Sequence, residues 1–287
     1  MTVEQKITLT NLVTNTSLTM GQTSTQNYIL DDVDWGTIES ERQTSAHPAQ
    51  IGESVLSATL GTRDVLIKGY LVNETGINLS ALKRAVSAMV NPLQIMRITY
   101  ASPVVEVGTV YLDFYPLSTV SFGSDGKENN DAFCYFEIEG RAYDPLFYST
   151  TLRLQNVSTS AASIQAAGDV KVGFTFTLTA SGSVSNPAIR NNYTGQLLKF
   201  NYTLANGQKF LGSTVPGDRY VKRQYTSSGT TVQENAMRYL DLDSKWLEIN
   251  PLNASANYFK VEATSGGANL TGVIQYRPAW LEVQAIE

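Results

Sequence analysis

The sequence predicts a mainly β protein of two domains, and three observations carry the prediction. Apolar residues recur at alternate positions, polar turns of Gly, Asn, Asp and Ser interrupt them, and only one segment changes to helical spacing. The chain has 287 residues, 42% hydrophobic and 16% charged, which is enough to bury two packed cores and excludes a disordered chain.

In the first half, Leu56, Ala58 and Leu60 alternate with polar residues before Gly61-Thr62. Val65, Ile67, Gly69 and Leu71 continue the alternation, so a hairpin is expected there. Leu82, Ala85, Val86, Met89 and Val90 form an apolar stripe at helical spacing. Asn78 or Ser80 can cap that helix and Asn91-Pro92 stops it, because the residue before proline leaves the α region. It is expected to cover one open side of the sheet. Tyr111 to Tyr115 and Ala132 to Gly140 read as strands around the hydrophilic loop 123–131.

The aromatic turn Ala142-Tyr-Asp-Pro-Leu-Phe-Tyr148, followed by a Ser/Thr/Ala-rich stretch, places a boundary between domains 1–148 and 149–287. In the second domain Phe174, Phe176 and Leu178 share a face. So do Leu198, Phe200, Tyr202 and Leu204, ahead of the hairpin dipeptide Asn206-Gly207. Tyr220 to Tyr225, Thr231 to Leu240, Trp246 to Ile249, Phe259 to Ala263 and Val273 to Tyr276 supply the remaining strands. This predicts a β-sandwich. No repeat of 20 to 50 residues points to a propeller or solenoid.

Function classes narrow by elimination. No stretch reaches the roughly 18 apolar residues of a membrane helix, and residues 1–13 do not read as a secretory signal, so a soluble, cytoplasmically made chain is expected. Cys134 is the only cysteine and His47 the only histidine, which leaves no internal disulfide, no cysteine zinc cage and no two-histidine metal site within one chain. The Gly-x-Ser-x-Gly elbow, phosphate loop, His-Glu-x-x-His and dinucleotide motifs are missing.

Asp31, Asp32, Asp34, Glu39 and Glu41 form the densest carboxylate run and read as a solvated turn; position 42 is Arg, where a calcium loop needs glutamate. His47-Pro48 reads as a hydrated loop, and the eight Asn-x-Ser/Thr sequons as a product of composition. Arg219, Lys222 and Arg223, interleaved with Tyr220 and Tyr225, could stack on a polyanion but read better as a solvated face. Trp246 and Trp280 read as sandwich core. The expectation is a protein without catalytic, cofactor-binding or metal residues, which is not an enzyme.

The net charge of −5 is unevenly divided. Residues 1–148 hold 9 Lys+Arg against 17 Asp+Glu, net −8, and residues 149–287 hold 12 against 9, net +3. The acidic balance argues against nucleic acid as a bound partner.

Several motifs, in order, resemble the distal tail protein family of long-tailed bacteriophages. They are Asp34-Trp-Gly36, Gly52, Leu60-Gly-Thr-Arg63 with Ile67-Lys-Gly69, the helix ending in Asn91-Pro92, and Tyr143-Asp-Pro-Leu-Phe-Tyr148. Asn186-Pro-Ala-Ile189, Thr194-Gly-Gln-Leu197, Asp241-Leu-Asp-Ser-Lys-Trp246 and Tyr276-Arg-Pro278 extend the resemblance through the second domain.

The resemblance implies an N-terminal split β-barrel with one helix and a C-terminal galectin-like β-sandwich. It also implies a hexameric ring at the distal end of the tail tube, at the tip of the virion tail. The ring joins the tube-forming protein to the tail hub or tail-associated lysin, holds receptor-binding or baseplate proteins, and lets DNA pass without specific binding. No catalytic residues come with it. The second domain has no histidine and so lacks the galectin sugar clamp, and the loop Asn250-Pro-Leu-Asn-Ala-Ser-Ala-Asn257 replaces a shorter turn.

The rival reading is a carbohydrate-binding module or adhesin, with Trp246, Trp280 or surface tyrosines stacking on cell-wall saccharide. A cell-wall hydrolase is a third reading without a supporting motif.

Overall fold

The computed structural model describes residues 6–21, 27–45, 54–73, 78–102, 107–123 and 132–283. The chain divides into two units, one formed by Met1–Tyr148 with Leu281–Glu287 and the other by Ser149–Trp280.

The first unit contains β1 (Lys6–Asn11), β2 (Thr16–Gly21), β3 (Tyr28–Asp34), β4 (Ser40–Ser45), β5 (Ser54–Leu60) and β6 (Arg63–Val72). Helix α1 (Leu79–Met89) follows, then β7 (Met96–Ala101), β8 (Thr109–Pro116), β9 (Ser121–Phe122), β10 (Phe133–Ala142) and β11 (Phe147–Ser149). Neighbouring strands run β8-β7-β1-β2-β3-β6-β10. The pairs Gly140 with Pro116 and Arg141 with Tyr115 bring β10 back to β8, which closes a seven-stranded barrel. Alternation supplies the filling: Ile7 and Leu9, Val65 and Ile67, Ile98 and Tyr100, Leu112 and Phe114, and Phe136 and Ile138 are all buried.

The expected hairpin over 56–71 does not form. β5 pairs with β4, whereas β6 pairs with β3 and β10. The Gly61 N–H donates to Glu39 O at 2.7 Å, carrying the β4–β5 ladder toward the Asp34–Leu66 pair of β3 and β6. Period-two alternation identifies a strand but not its partner.

The helix starts and stops as predicted. Asn78 Oδ1 accepts from the Ser80 N–H at 2.8 Å, and Val90 turns extended before Asn91-Pro92. Leu82, Val86 and Met89 are buried, whereas Ala85 is exposed. The helix packs against the side of the sheet where β2 and β3 share only the Gly21–Ile29 pair: Ala85, Val86 and Met89 line a cavity with Ser17, Leu18 and Tyr28, and Asn11 Nδ2 donates to Met89 O at 2.8 Å.

The second unit contains β12 (Arg153–Val157), β13 (Ala162–Ser163), β14 (Thr175–Ala180), β15 (Val184–Ser185), β16 (Ala188–Asn191), β17 (Leu197–Lys199) and β18 (Thr203–Leu204). It continues with β19 (Lys209–Ser213), β20 (Tyr220–Ser227), β21 (Thr230–Asn235), β22 (Tyr258–Glu262), β23 (Leu270–Tyr276) and β24 (Ala279–Trp280). A sheet ordered β12-β23-β14-β19-β20-β21 faces one ordered β13-β22-β16-β17. Across the interior Phe174 meets Phe259 at 5.7 Å and Phe176 meets Phe200 at 6.0 Å between ring centroids, giving the predicted sandwich.

Several boundaries differ from expectation. The strand over 198–204 is broken, because Phe200 N–H donates to Pro187 O and Asn201 N–H to Tyr239 O. Asn206-Gly207 does turn the chain, with Gly207 at φ +80°, but β18 before it pairs with β15 and β19 after it with β14 and β20, so it closes no hairpin. Thr231 to Leu240 stops being a strand at Asn235, whose Oδ1 accepts from Met237 N–H and opens a 3-10 turn over Met237–Tyr239. Trp246 to Ile249 is held by one bridge, between Ile249 and Val172.

Candidate functional site

Three of the motifs that carry the family resemblance in the first half, Asp34-Trp-Gly36, Leu60-Gly-Thr-Arg63 and Tyr143-Asp-Pro-Leu-Phe-Tyr148, meet at one buried cation. Arg63 is 1% exposed. Its Nε donates to Pro145 O at 2.9 Å, Nη1 to Trp35 O at 3.1 Å and Gly36 O at 3.3 Å, and Nη2 to Leu281 O. Its guanidinium lies 4.7 Å from the Phe147 ring centroid, and Trp35 packs edge-on against Phe147 at 5.2 Å. Asp34 Oδ1 accepts from the Gly36 N–H, and Gly36 adopts φ +58°, where a Cβ would lie 2.2 Å from Asp64 O.

Asp34-Trp-Gly36, Arg63 and the Pro-Leu-Phe of 145–147 are therefore one structural knot, in which carbonyl dipoles meet the cation and the nearby Glu282 charge also favours it. Tyr148 closes that motif by donating to Asp144 Oδ2 at 2.7 Å, and burial, aided by the Asp144 charge, holds its hydroxyl protonated well above the ordinary tyrosine range.

Beside the barrel stands a two-stranded ribbon of β4 and β5. Every residue of β5 is exposed, with Val55 at 56%, Leu56 at 61% and Leu60 at 46%. The acidic run precedes it: Asp31, Asp32 and Asp34 are on β3 and Glu41 on β4, and all are exposed together with Glu39. All but Glu39, which lies between β3 and β4, are thus strand residues rather than the expected turn, with a register shift between Leu30 and Asp32. His47-Pro48 and Gly52 lie outside the described residues, as does most of the loop 123–131. Cys134 is buried on β10. Among the described residues no group of three or more His, Cys, Asp or Glu could hold a metal ion.

In the second unit the expected basic patch is divided by the pleat of β20. Val221 is buried, so Arg223 and Tyr225 share its inward face while Tyr220 and Lys222 point outward. Lys222 lies 5.2 Å from the Tyr220 ring. Arg223 does not form a solvated face: its guanidinium sits between the Tyr202 ring at 4.9 Å and the Tyr225 ring at 4.4 Å, and its side chain is 14% exposed. Tyr202 and Tyr239 also stack, at 4.5 Å. Sequence reading missed this cluster because Tyr202 and Tyr239 come from distant loops.

Trp280 is buried, as expected, but Trp246 is half-buried with Arg219 5.6 Å from its ring. The Asp241-to-Trp246 motif clips to β17: Lys199 N–H donates to Ser244 Oγ, and Lys199 Nζ lies 3.2 Å from Asp241 Oδ2. Asn257, in the loop that replaces the shorter turn, donates to Asn250 O at 2.7 Å.

Residues 167–280 match the family model described as siphovirus-type tail component, C-terminal domain. The chain carries a siphovirus tail-component domain. Among solved structures it is similar to the Dit protein (gp 19.1) of phage SPP1, described as a paradigm of the hub adsorption apparatus in phages that infect Gram-positive bacteria. That likeness has a TM-score of 0.66 at 15% identity and covers 94% of this chain and 98% of that one. A chain of the phage P2 baseplate in its activated conformation with Ca is also similar, with a TM-score of 0.50 at 11% identity, covering 96% and 98%. No curated protein matches in sequence. The resemblance to the distal tail protein family therefore stands, through the family model in the second unit and through the fold along nearly the whole chain. Together they support a structural component of the phage tail, located in the virion's tail.

Proposed function

We propose that this tail component forms a homo-hexameric ring at the distal end of the tail tube. The ring joins the tube-forming protein to the tail hub or tail-associated lysin and anchors receptor-binding or baseplate proteins; it performs no catalysis. The observation that carries the reading is the β4–β5 ribbon. A two-stranded ribbon is marginal in water, and this one, which pairs with no further strand among the described residues and exposes Val55, Leu56 and Leu60, forms a template for association. In a closed ring each copy covers its neighbour's ribbon, and heterologous contacts satisfy every copy without leaving a free end.

The acidic first half suits a channel crossed by DNA, because excess carboxylates repel phosphate within a Debye length of roughly 8 Å in physiological salt.

Light-scattering mass with negative-stain imaging tests the proposal, first on the protein alone and then with tail-tube protein added. Closed rings of about 188 kDa, six copies of 31.4 kDa, are the expected result in at least the second condition. A protein that stays monomeric in both and does not join the tube overturns it.

A further inference from the structure

We propose that the Arg223 cluster of the second unit is a binding site for an anionic saccharide, one bearing phosphate or carboxylate. This inference does not rest on the ring reading.

The argument begins with charge. Arg223 and Arg238 share a single carboxylate oxygen: Glu234 Oε1 lies 3.2 Å from Arg223 Nε and 3.4 Å from an Arg238 terminal nitrogen. Two cations against one anion leave the cluster short of one negative charge. Glu234 also satisfies Arg223 poorly: at 3.2 Å it makes an ion pair but no hydrogen bond, and the buried Nε has no hydrogen-bond partner among the described residues.

The Arg223 side chain keeps 14% of its surface exposed, and neither of its terminal nitrogens has a hydrogen-bond partner among the described residues. A guanidinium held between the Tyr202 and Tyr225 rings has lost little more freedom to lose, so its outward edge is a fixed fork of donors matched to phosphate or carboxylate oxygens.

The neighbours of that fork select the rest of the ligand. Tyr202, Tyr225 and Tyr239 are each half-buried, and Tyr239 accepts from Arg238 through its hydroxyl at 2.8 Å. Partly exposed tyrosines supply apolar ring surface for sugar C–H groups together with hydroxyls for sugar oxygens. Trp280, a platform the sequence offered, is buried and takes no part.

Calorimetric titration of the full-length chain tests the site with glucose 1-phosphate, glucose, inorganic phosphate and a hexaglutamate peptide. Glucose 1-phosphate is expected to bind better than either of its halves, and Arg223→Gln to weaken it by about tenfold or more through loss of the charged fork. Arg223→Lys, which keeps the charge but not the fork, should recover only part of that loss. Glu234→Gln should strengthen binding severalfold by removing the competing carboxylate, a gain that a merely structural cluster would not give. It remains informative even where Arg223→Gln disturbs folding.

Equal affinity for inorganic phosphate removes the saccharide. Tighter binding of hexaglutamate replaces it with an acidic protein partner. Absence of glucose 1-phosphate binding at about 10 mM, or affinity unmoved in both Arg223→Gln and Glu234→Gln, overturns the site.

Discussion

At Arg63 and Tyr100, which both contact Trp35, a buried polar group has opposite consequences. Arg63 turns four backbone carbonyls, from Trp35, Gly36, Pro145 and Leu281, toward one guanidinium. Arg63→Met removes every donor at once, and unsatisfied buried acceptors cost roughly 1–3 kcal/mol each where water does not reach them. A loss of about 3 kcal/mol or more in denaturant unfolding is therefore expected; less than 1 kcal/mol would mean that the knot is dispensable. The Tyr100 hydroxyl is buried beside Trp35 with no hydrogen-bond partner among the described residues. Tyr100→Phe discards only a desolvated group, so stability should stay unchanged or rise by up to about 1 kcal/mol. A fall of 1 kcal/mol would show that the hydroxyl has a partner such as a bound water.

Among the elements, those fixed by local chemistry were the legible ones. Asn78, Asn91-Pro92 and the spacing of Leu82, Val86 and Met89 sufficed for α1, and alternation sufficed for β8, β10, β14, β20, β22 and β23. What could not be read was which strands pair, since Leu56 to Leu60 looks the same in a barrel wall and in a free ribbon, and nothing near Asn206-Gly207 says that its flanking strands enter different sheets. The site was legible only as basic and aromatic residues around position 223; Glu234, Tyr202 and Tyr239 join it through β20–β21 pairing and loop folding. Pairing also creates the pH-sensitive contact between β16 and β22. Arg190 binds both oxygens of Glu262, at 2.8 and 2.7 Å, and this holds the Glu262 carboxyl below its ordinary value near 4.5. A carboxylate depressed by folding contributes stability above its unfolded pKa and loses it as pH falls through the folded value. Glu262→Gln should therefore destabilise the protein at pH 7 and make almost no difference near pH 2. Equal destabilisation at both, by denaturant titration, would assign the effect to packing instead of charge.

For the whole molecule, the decisive surface is one that the fold leaves uncovered. The barrel closes on itself and the sandwich buries its phenylalanines between two sheets, so neither unit requires a partner to complete its core. The ribbon strand β5 exposes apolar side chains along both of its faces, and the described charges of the ribbon and of the segment leading into it, Asp31 to Glu41, are nearly all acidic. Like charges that repel DNA also repel other copies, so ring closure has to draw on apolar contact. Leu56→Glu tests this. Covering a leucine is worth roughly 1.5–3 kcal/mol, and a cyclic ring repeats the contact in every copy, so one substitution is felt at each interface. Because Leu56 is 61% exposed, the variant should keep the wild-type unfolding midpoint within about 0.5 kcal/mol. Its rings, formed alone or on tail-tube protein, should disappear at concentrations where the wild type assembles, and scattering mass should fall to that of one chain. A variant that forms rings as readily as the wild type would remove the ribbon from the interface, while one that loses both rings and stability would show that the strand belongs to the core after all.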